Sequence, residues 1–405
     1  MDRTNETGSC KAAGLHNTKK GNAMIARKKF GTVATALLVA LALSGCGAAG
    51  AQPEPAPGGD DPGTTASDSW TIEAEFTADD GTITTSDYEP IAADKVTKPW
   101  RVCGLFPHVK DVLWVSANYG NVEEAKRLGI EYNLFEAGGY NNLSTQVSQT
   151  DDCIVQGFDA LILGAISAEG NCATIEKALD AGMVVVDFIN GTACSSELTE
   201  NPLYTRVSVS YAETANLLGK FLVEQASGEE RKVASFPGPD GAAFANDAVD
   251  GFDEAIAGSS VSVEVERRGD TGLDVQLALI EDVLRAYPDA TDIFGVDIAA
   301  EAGVVALRNA GRTGEVGVYG YTIIPNLYQA IKDGDASAAV TDWTPFQGRM
   351  AVSQAVKVLE QMETGGRSVG PLPVVVSADN VGEIDYERMF GPENFDPVYA
   401  VTAAG

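Results

Sequence analysis

Residues 101–120 read RVCGLFPHVKDVLWVSANYG. The first six form a short apolar run of strand character, the periodic segment after Asp111 has helix character, and Pro107 to Asp111 turn the chain between them. Strand, loop, helix is half of a βαβ unit, and the unit recurs. Further strand candidates are IEYNLFEA (130–137), DALILGA (159–165), MVVVDF (183–188), TRVSVS (205–210) and KVASFPG (232–238). VSVEVE (261–266), DIFGVD (292–297), EVGVYGY (315–321) and SAAVTD (337–342) complete the set. Helical stretches such as NVEEAKRLG (121–129), SAEGNCATIEKALDAG (167–182) and YAETANLLGKFLVEQA (211–226) lie between them. In the last, Leu217, Leu218, Phe221 and Leu222 keep one face apolar.

This alternation predicts an α/β fold with parallel sheets covered on both faces, and ten strands exceed one comfortable doubly wound sheet. Two doubly wound, Rossmann-like lobes are expected. Lobe 1 is placed at about 98–208 plus 322–342, and lobe 2 at about 209–321 plus 343–405. Ligands of such sheets bind at the carboxyl ends of the strands, where loops enter helix N-termini.

Upstream, MIARKKFGTVATALLVALALSGC (24–46) has a basic start, a short apolar run and a small-residue approach to a cysteine. It has the form of an export signal ending in a lipid-accepting Cys46, which places the mature chain outside the cell, anchored to the membrane through its N-terminal lipid. Residues 1–23 are polar and unpatterned and precede a better start at Met24. Residues 46–97, rich in Pro, Gly, Ala, Ser, Thr and Asp, are expected to be a flexible linker, although TIEAEFTADDGTITTSDY has strand-like alternation that suits a sheet edge. The folded domain is placed at 98–405.

The chain has 28 Lys and Arg against 58 Asp and Glu. Loss of residues 1–45 leaves 21 against 56, a surface that repels nucleic acid and anionic lipid headgroups. Four cysteines remain: Cys103, Cys153, Cys172 and Cys194. In an oxidising compartment they suggest two disulfides among three connectivities, and Cys103–Cys153 with Cys172–Cys194 keeps each bridge local within one lobe. No CxxC occurs and only His108 remains after processing, so no metal site is expected. No cofactor or catalytic function is expected either. GxSxG and GxxxxGK[ST] are absent, the Gly-rich FPGPDGAAF (236–244) fits a tight turn, and Asp151/Asp152 and Glu229/Glu230 look like solvated pairs.

Four aromatic residues fall just after strand candidates: Trp114, Tyr140 in EAGGY, Tyr211, and Tyr321 ending VYGY. Each has a plain structural explanation: a ring capping the core, a loop residue, a helix residue packed on its own sheet, and a hinge strand residue. Together they suggest a box whose π faces attract a methylated cationic or strongly dipolar nitrogen. Stacking on a sugar is the alternative, but the four loops carry few of the polar groups that sugar hydroxyls require. Asp111 has an N-cap explanation beside a ligand-binding one, and His108 suits a loop hydrogen bond.

FPHVKDVLWVSANYG, LFEAGGYNN, FDALILGAIS, GFDEAI and PFQGRMAVSQA resemble the TorT family of periplasmic binding proteins, over about 98–365. The resemblance implies a type I periplasmic binding fold, with two lobes closing about a three-strand hinge. It also implies an aromatic cage for trimethylamine N-oxide and a sensor histidine kinase as partner. Trp114 and Tyr140 match cage positions of the first lobe, Tyr321 matches one near the hinge, and Asp111 matches the family aspartate. Where that family has a Trp, Tyr211 is the nearest ring, which admits choline, betaine or another methylated amine. The alternative is presentation of a sugar or amine to an ABC permease.

Overall fold

The computed structural model describes residues 70–403, so Cys46 and the export segment lie outside the described residues. All ten expected strands form, together with five more. The chain opens with a hairpin, β1 (Ile72–Thr77) and β2 (Ile83–Tyr88). It then enters five parallel strands: β3 (Arg101–Phe106), β4 (Glu131–Glu136), β5 (Ala160–Leu163), β6 (Val184–Phe188) and β7 (Tyr204–Val207). A second sheet holds β8 (Arg231–Phe236), β9 (Val261–Glu266), β10 (Asp292–Gly295), β11 (Gly317–Gly320) and β12 (Ala338–Val340). β13 (Ser368–Pro371) returns to the first sheet, β14 (Val375–Ser377) to the second, and β15 (Ala400–Val401) to the first.

The sheet orders are β15-β4-β3-β5-β6-β7-β13-β1-β2 and β14-β12-β11-β10-β8-β9. Antiparallel partners occur only at edges, where β15, β1, β2 and β14 pair. The two-lobed α/β expectation holds, and two boundaries change. Segment 322–342 was assigned to lobe 1, but β12 pairs with β11 in the second sheet. Segment 343–405 was assigned to lobe 2, but its helix 344–359 packs on 112–128 and on the strands of the first sheet. The chain therefore leaves the second lobe after β12 rather than after β11. The domain also starts earlier than residue 98, because β1 pairs with β13 and Trp70 stacks on Tyr88 and donates to buried Glu124 at 2.7 Å.

The helices that cover these sheets are, in chain order, α1 (Val112–Leu128), α2 (Leu143–Val155), α3 (Cys172–Asp180), α4 (Ser196–Thr199), α5 (Tyr211–Ala226) and α6 (Ala243–Ile256). They continue with α7 (Leu273–Ala286), α8 (Asp297–Ala310), α9 (Pro325–Asp333), α10 (Thr344–Leu359) and α11 (Tyr386–Phe390). α1 and α10 pack closely in the first lobe because Gly120 and Gly348 lack side chains: a Cβ on either would strike the backbone of the other helix. Under the first sheet, Leu161, Leu163, Phe158, Ile175 and Val185 form an apolar cluster around Cys103 and Cys153. Those two cysteines are bonded to each other, as are Cys172 and Cys194. Both bridges lie within the first lobe.

Three short crossings join the lobes, at 208–210, 341–343 and 372–374, and the C-terminal segment crosses once more between β14 and β15. Side chains tie the short crossings to one another. Buried Gln347 accepts from Val209 N (3.2 Å) and donates to Asp342 O (2.7 Å), while Trp343 Nε1 donates to Leu372 O (3.1 Å).

Candidate functional site

The carboxyl ends of both sheets face each other across a closed cleft. Phe244 N donates to Asn190 O at 3.1 Å and Ala168 N to Gly241 O at 2.9 Å, each pair spanning the two lobes. His108 Nε2 adds a 3.2 Å contact with Thr271 Oγ1. Between these links lies a small cavity lined by Asp111, Tyr140, Asn190, Tyr211, Phe244 and Asp297, with Thr271 and Thr322 at its edge. Its volume is about 20 Å³, by the measure on which one water takes ~10–15 Å³.

Three of the four expected rings join one continuous array. Tyr140 lies 6.0 Å from Phe244, Phe244 lies 5.9 Å from Tyr211, and Tyr211 lies 6.2 Å from Tyr321. Tyr140 and Tyr211 line the cavity, whereas Tyr321 stands behind it, fully buried, its hydroxyl donating to Pro237 O at 2.5 Å. Trp114 also stands one layer back. It is 2% exposed and packs on Phe106 (4.6 Å), Phe188 (6.2 Å) and the bare Cα of Gly164, beside the Tyr140 hydroxyl. The large ring at the first turn of α1 thus fills the sheet end beneath the cage, in space left by a glycine.

The N-cap reading of Asp111 holds, since it accepts from Trp114 N at 3.1 Å, and its carboxyl also faces the cavity. Burial, then the nearby charges of Asp297 and Asp270, push its carboxyl up to about 8 against the helix-cap bond. His108 is buried 3.7 Å from Asp111 Oδ2, and burial holds its imidazole down at about 4. At neutral pH the histidine is therefore uncharged, so its approach to Asp111 is not an ion pair, and its Nε2 hydrogen-bonding contact is the one with Thr271.

Two carboxylates were not anticipated. Asp297, in the first turn of α8, is 5% exposed; Oδ1 accepts from Ile298 N at 2.6 Å, and Oδ2 has no partner. Burial raises it to about 6. Asp342, in the second crossing, is equally buried, also leaves Oδ2 unpartnered, and is raised to about 7 by burial and by Asp297. Phe244 and Asn190 were missed as well. Asn190 Nδ2 donates to Tyr140 Oη (3.0 Å) and to Ala165 O (2.8 Å), which fixes the ring that faces the cavity.

An aromatic pocket with buried acids and unfilled acceptors suits a small ligand carrying positive charge on nitrogen. Among the described residues no His, Cys, Asp and Glu cluster is arranged to hold a metal ion.

The profile of the periplasmic binding protein domain family matches residues 104–363. The periplasmic protein TorT of Escherichia coli K12 is 32% identical over 305 residues, 75% of this chain and 86% of TorT. A solved ABC transporter solute-binding protein from Bradyrhizobium sp. BTAi1, with bound bis-tris, is 36% identical at a TM-score of 0.68, covering 82% of this chain and 98% of that one. TorT in its complex with the TorS sensor domain in the presence of TMAO is 26% identical at a TM-score of 0.65, covering 74% and 99%. These relatives are binding proteins, and two lobes meeting across a closed cleft are an arrangement that suits binding. The chain belongs to the periplasmic binding proteins, as a TorT-like member of their two-lobed type I class.

Proposed function

We propose that this protein captures a small methylated amine, trimethylamine N-oxide or a quaternary relative such as choline, between Tyr140, Tyr211 and Phe244, with Trp114 and Tyr321 holding those rings from behind. The observation that carries the reading is the meeting of this ring array with the unpartnered carboxylate oxygen of Asp297 in one small closed cavity. A quaternary nitrogen satisfies the rings through their quadrupoles and the acid through its charge; a cavity with room for one or two waters must widen for any such ligand, and far more for a pyranose. Asp111, protonated at neutral pH, supplies the donor that an N-oxide oxygen needs.

The closed form is then presented to a sensor histidine kinase, a role supported by likeness to TorT, whose complex with the TorS sensor domain is solved. Presentation to an ABC permease is the second reading. It draws support from the Bradyrhizobium binding protein, a transporter component whose bound bis-tris is itself an amine. A lipid on Cys46 would keep the exported domain at the membrane in either case; mass spectrometry of the exported chain checks for it.

Calorimetric titration of the full chain with trimethylamine N-oxide, choline, glycine betaine and ribose tests the ligand. Tyr140→Ala and Tyr211→Ala should each weaken amine binding by up to about thirtyfold, the upper range of a desolvated cation–π contact, ~2 kcal/mol. Binding of ribose alone would return the protein to the sugar-binding relatives.

A further inference from the structure

The molecule has a second and larger hollow. It lies against the hinge, where Ser208, Val209, Ser210 and Pro373 line it, and has a volume of about 400 Å³ by the same measure. Its floor exists because the N-terminal hairpin extends the first sheet beyond the helices that cover it. Register sets Thr77 beside Ser368 and Ser368 beside Arg206, and in the next row Glu75 beside Gly370. These residues line the hollow, while Val207 and Val369, one position on in their strands, point into the core on the opposite side. A sheet face in this fold is ordinarily covered by a helix. Here it is open and polar.

Two guanidinium groups line it, Arg206 from β7 and Arg367 from the position just before β13. Neither makes a side-chain hydrogen bond or ion pair with another described residue, although Arg206 is partly buried and lies against Gly191. Burial works against the Arg206 charge, and Asp187 behind it, then Tyr204 and Asp247, more than offset that effect. Carboxylates share the groove: Glu75 stands on β1 in the same sheet, while Glu213 on α5 and Asp247 on α6 come from the second lobe. Glu75 and Glu213 are close enough to feel each other's charge. Three acids and two guanidiniums that make no direct side-chain bond line one groove, which suits an occupant with charge of both signs, since a plain anion would meet the acids and a plain cation the arginines.

We propose that this groove is a second binding site, for a small zwitterion whose carboxylate is held by Arg206 and Arg367 and whose ammonium faces Glu75 and Glu213. Its volume suits an amino acid or dipeptide. The arginines and Glu75 belong to the first lobe while Glu213 and Asp247 belong to the second, so an occupant bridges the lobes and favours the closed arrangement. By linkage it tightens the aromatic cavity for its own ligand.

Calorimetric titration of the full chain with glycylglycine, set against acetate and methylammonium, tests the site. Glycylglycine should bind more tightly than either single-charge probe, and Arg367→Gln should weaken it about tenfold or more, the loss of one charge-assisted pair. If R367Q fails to fold, Glu213→Gln on the exposed first turn of α5 should weaken glycylglycine in the same way. Asp297→Asn, in the aromatic cavity, should leave glycylglycine binding in place. No heat with glycylglycine, equal binding of acetate, or binding lost in D297N but kept in R367Q would each overturn the proposal, the last by placing the dipeptide in the cage.

Discussion

Asp297 and Asp111 face one cavity with opposite protonation habits, and that difference makes the ligand's charge measurable. Asp297 has spent one oxygen on its own helix and keeps the other unpartnered, so a cationic nitrogen supplies the missing interaction and stabilises the ionised form. Its carboxyl sits at about 6, and that of Asp111 at about 8. Choline affinity should therefore rise with pH through this window as the acids ionise. Trimethylamine N-oxide, which accepts a hydrogen bond from protonated Asp111, should weaken as pH climbs through about 8. Asp297→Asn should cost choline about tenfold, or roughly 1.4 kcal/mol, and spare the N-oxide. Titrations across pH check both, and a choline affinity independent of pH would remove the carboxylates from recognition. Tyr140, Tyr211 and Asp111 were legible in the sequence because a ring or an acid just after a strand stands out. Asp297 was not, because an acid in a helix's first turn has an ordinary electrostatic explanation. Phe244 was hidden in a Gly-rich segment that looked like a turn alone.

At the scale of elements, the hinge is held by side chains rather than by backbone pairing alone. Gln347, in the first turn of α10, bonds to the first crossing through Val209 and to the second through Asp342, from a fully buried position. Gln347→Ala would leave Val209 N and Asp342 O without these partners, at about 1–3 kcal/mol for each buried group stranded. Thermal melts should show the loss, and ligand affinity should fall with it because the crossings set how the lobes meet. A variant that melts as the parent does would mean that water replaces both bonds. The disulfide between Cys103 and Cys153 spans 50 residues and ties β3 to α2. Replacing both cysteines by alanine should cost about 2–4 kcal/mol, read from denaturant melts in the absence of reductant. Ten strands were legible because β-branched runs alternate with helical periods. β13 (SVGP) and β15 (AV) offer no such run, and β14, only three residues after β13, falls outside the alternation. The exchange of lobe assignment after residue 322 follows from the same limit. Nothing local in SAAVTD says which sheet it joins, and only its pairing with β11 decides it.

For the whole molecule, three buried acids converge near the junction of the lobes, and their summed cost is set by pH. Asp111, Asp342 and Asp297 are raised to about 8, 7 and 6, in each case chiefly by burial. An unfolded aspartate loses its proton near pH ~3.9, so between that pH and the folded values the native state holds protons that the unfolded chain has released. Stability must then fall as pH rises through this range and level off above about 8. Each acid contributes a slope approaching ~1.4 kcal/mol per pH unit while it stays protonated only in the native state. The acidic surface behaves differently, since exposed carboxylates have nearly finished ionising by about pH 5. Melting temperature of the ligand-free protein should decline from about pH 5 to about pH 8, and Asp342→Asn should flatten that decline and raise the melting point at the alkaline end. Saturating choline should flatten it too, because a bound cation offsets the charge that ionisation creates. The N-oxide should instead steepen the alkaline part, since its hydrogen bond depends on the Asp111 proton. If the melting point climbed between about pH 5 and pH 8, the three acids would be ionised and paired in the native state, and the cavity would have to be read as a pre-charged site that waits for a cation.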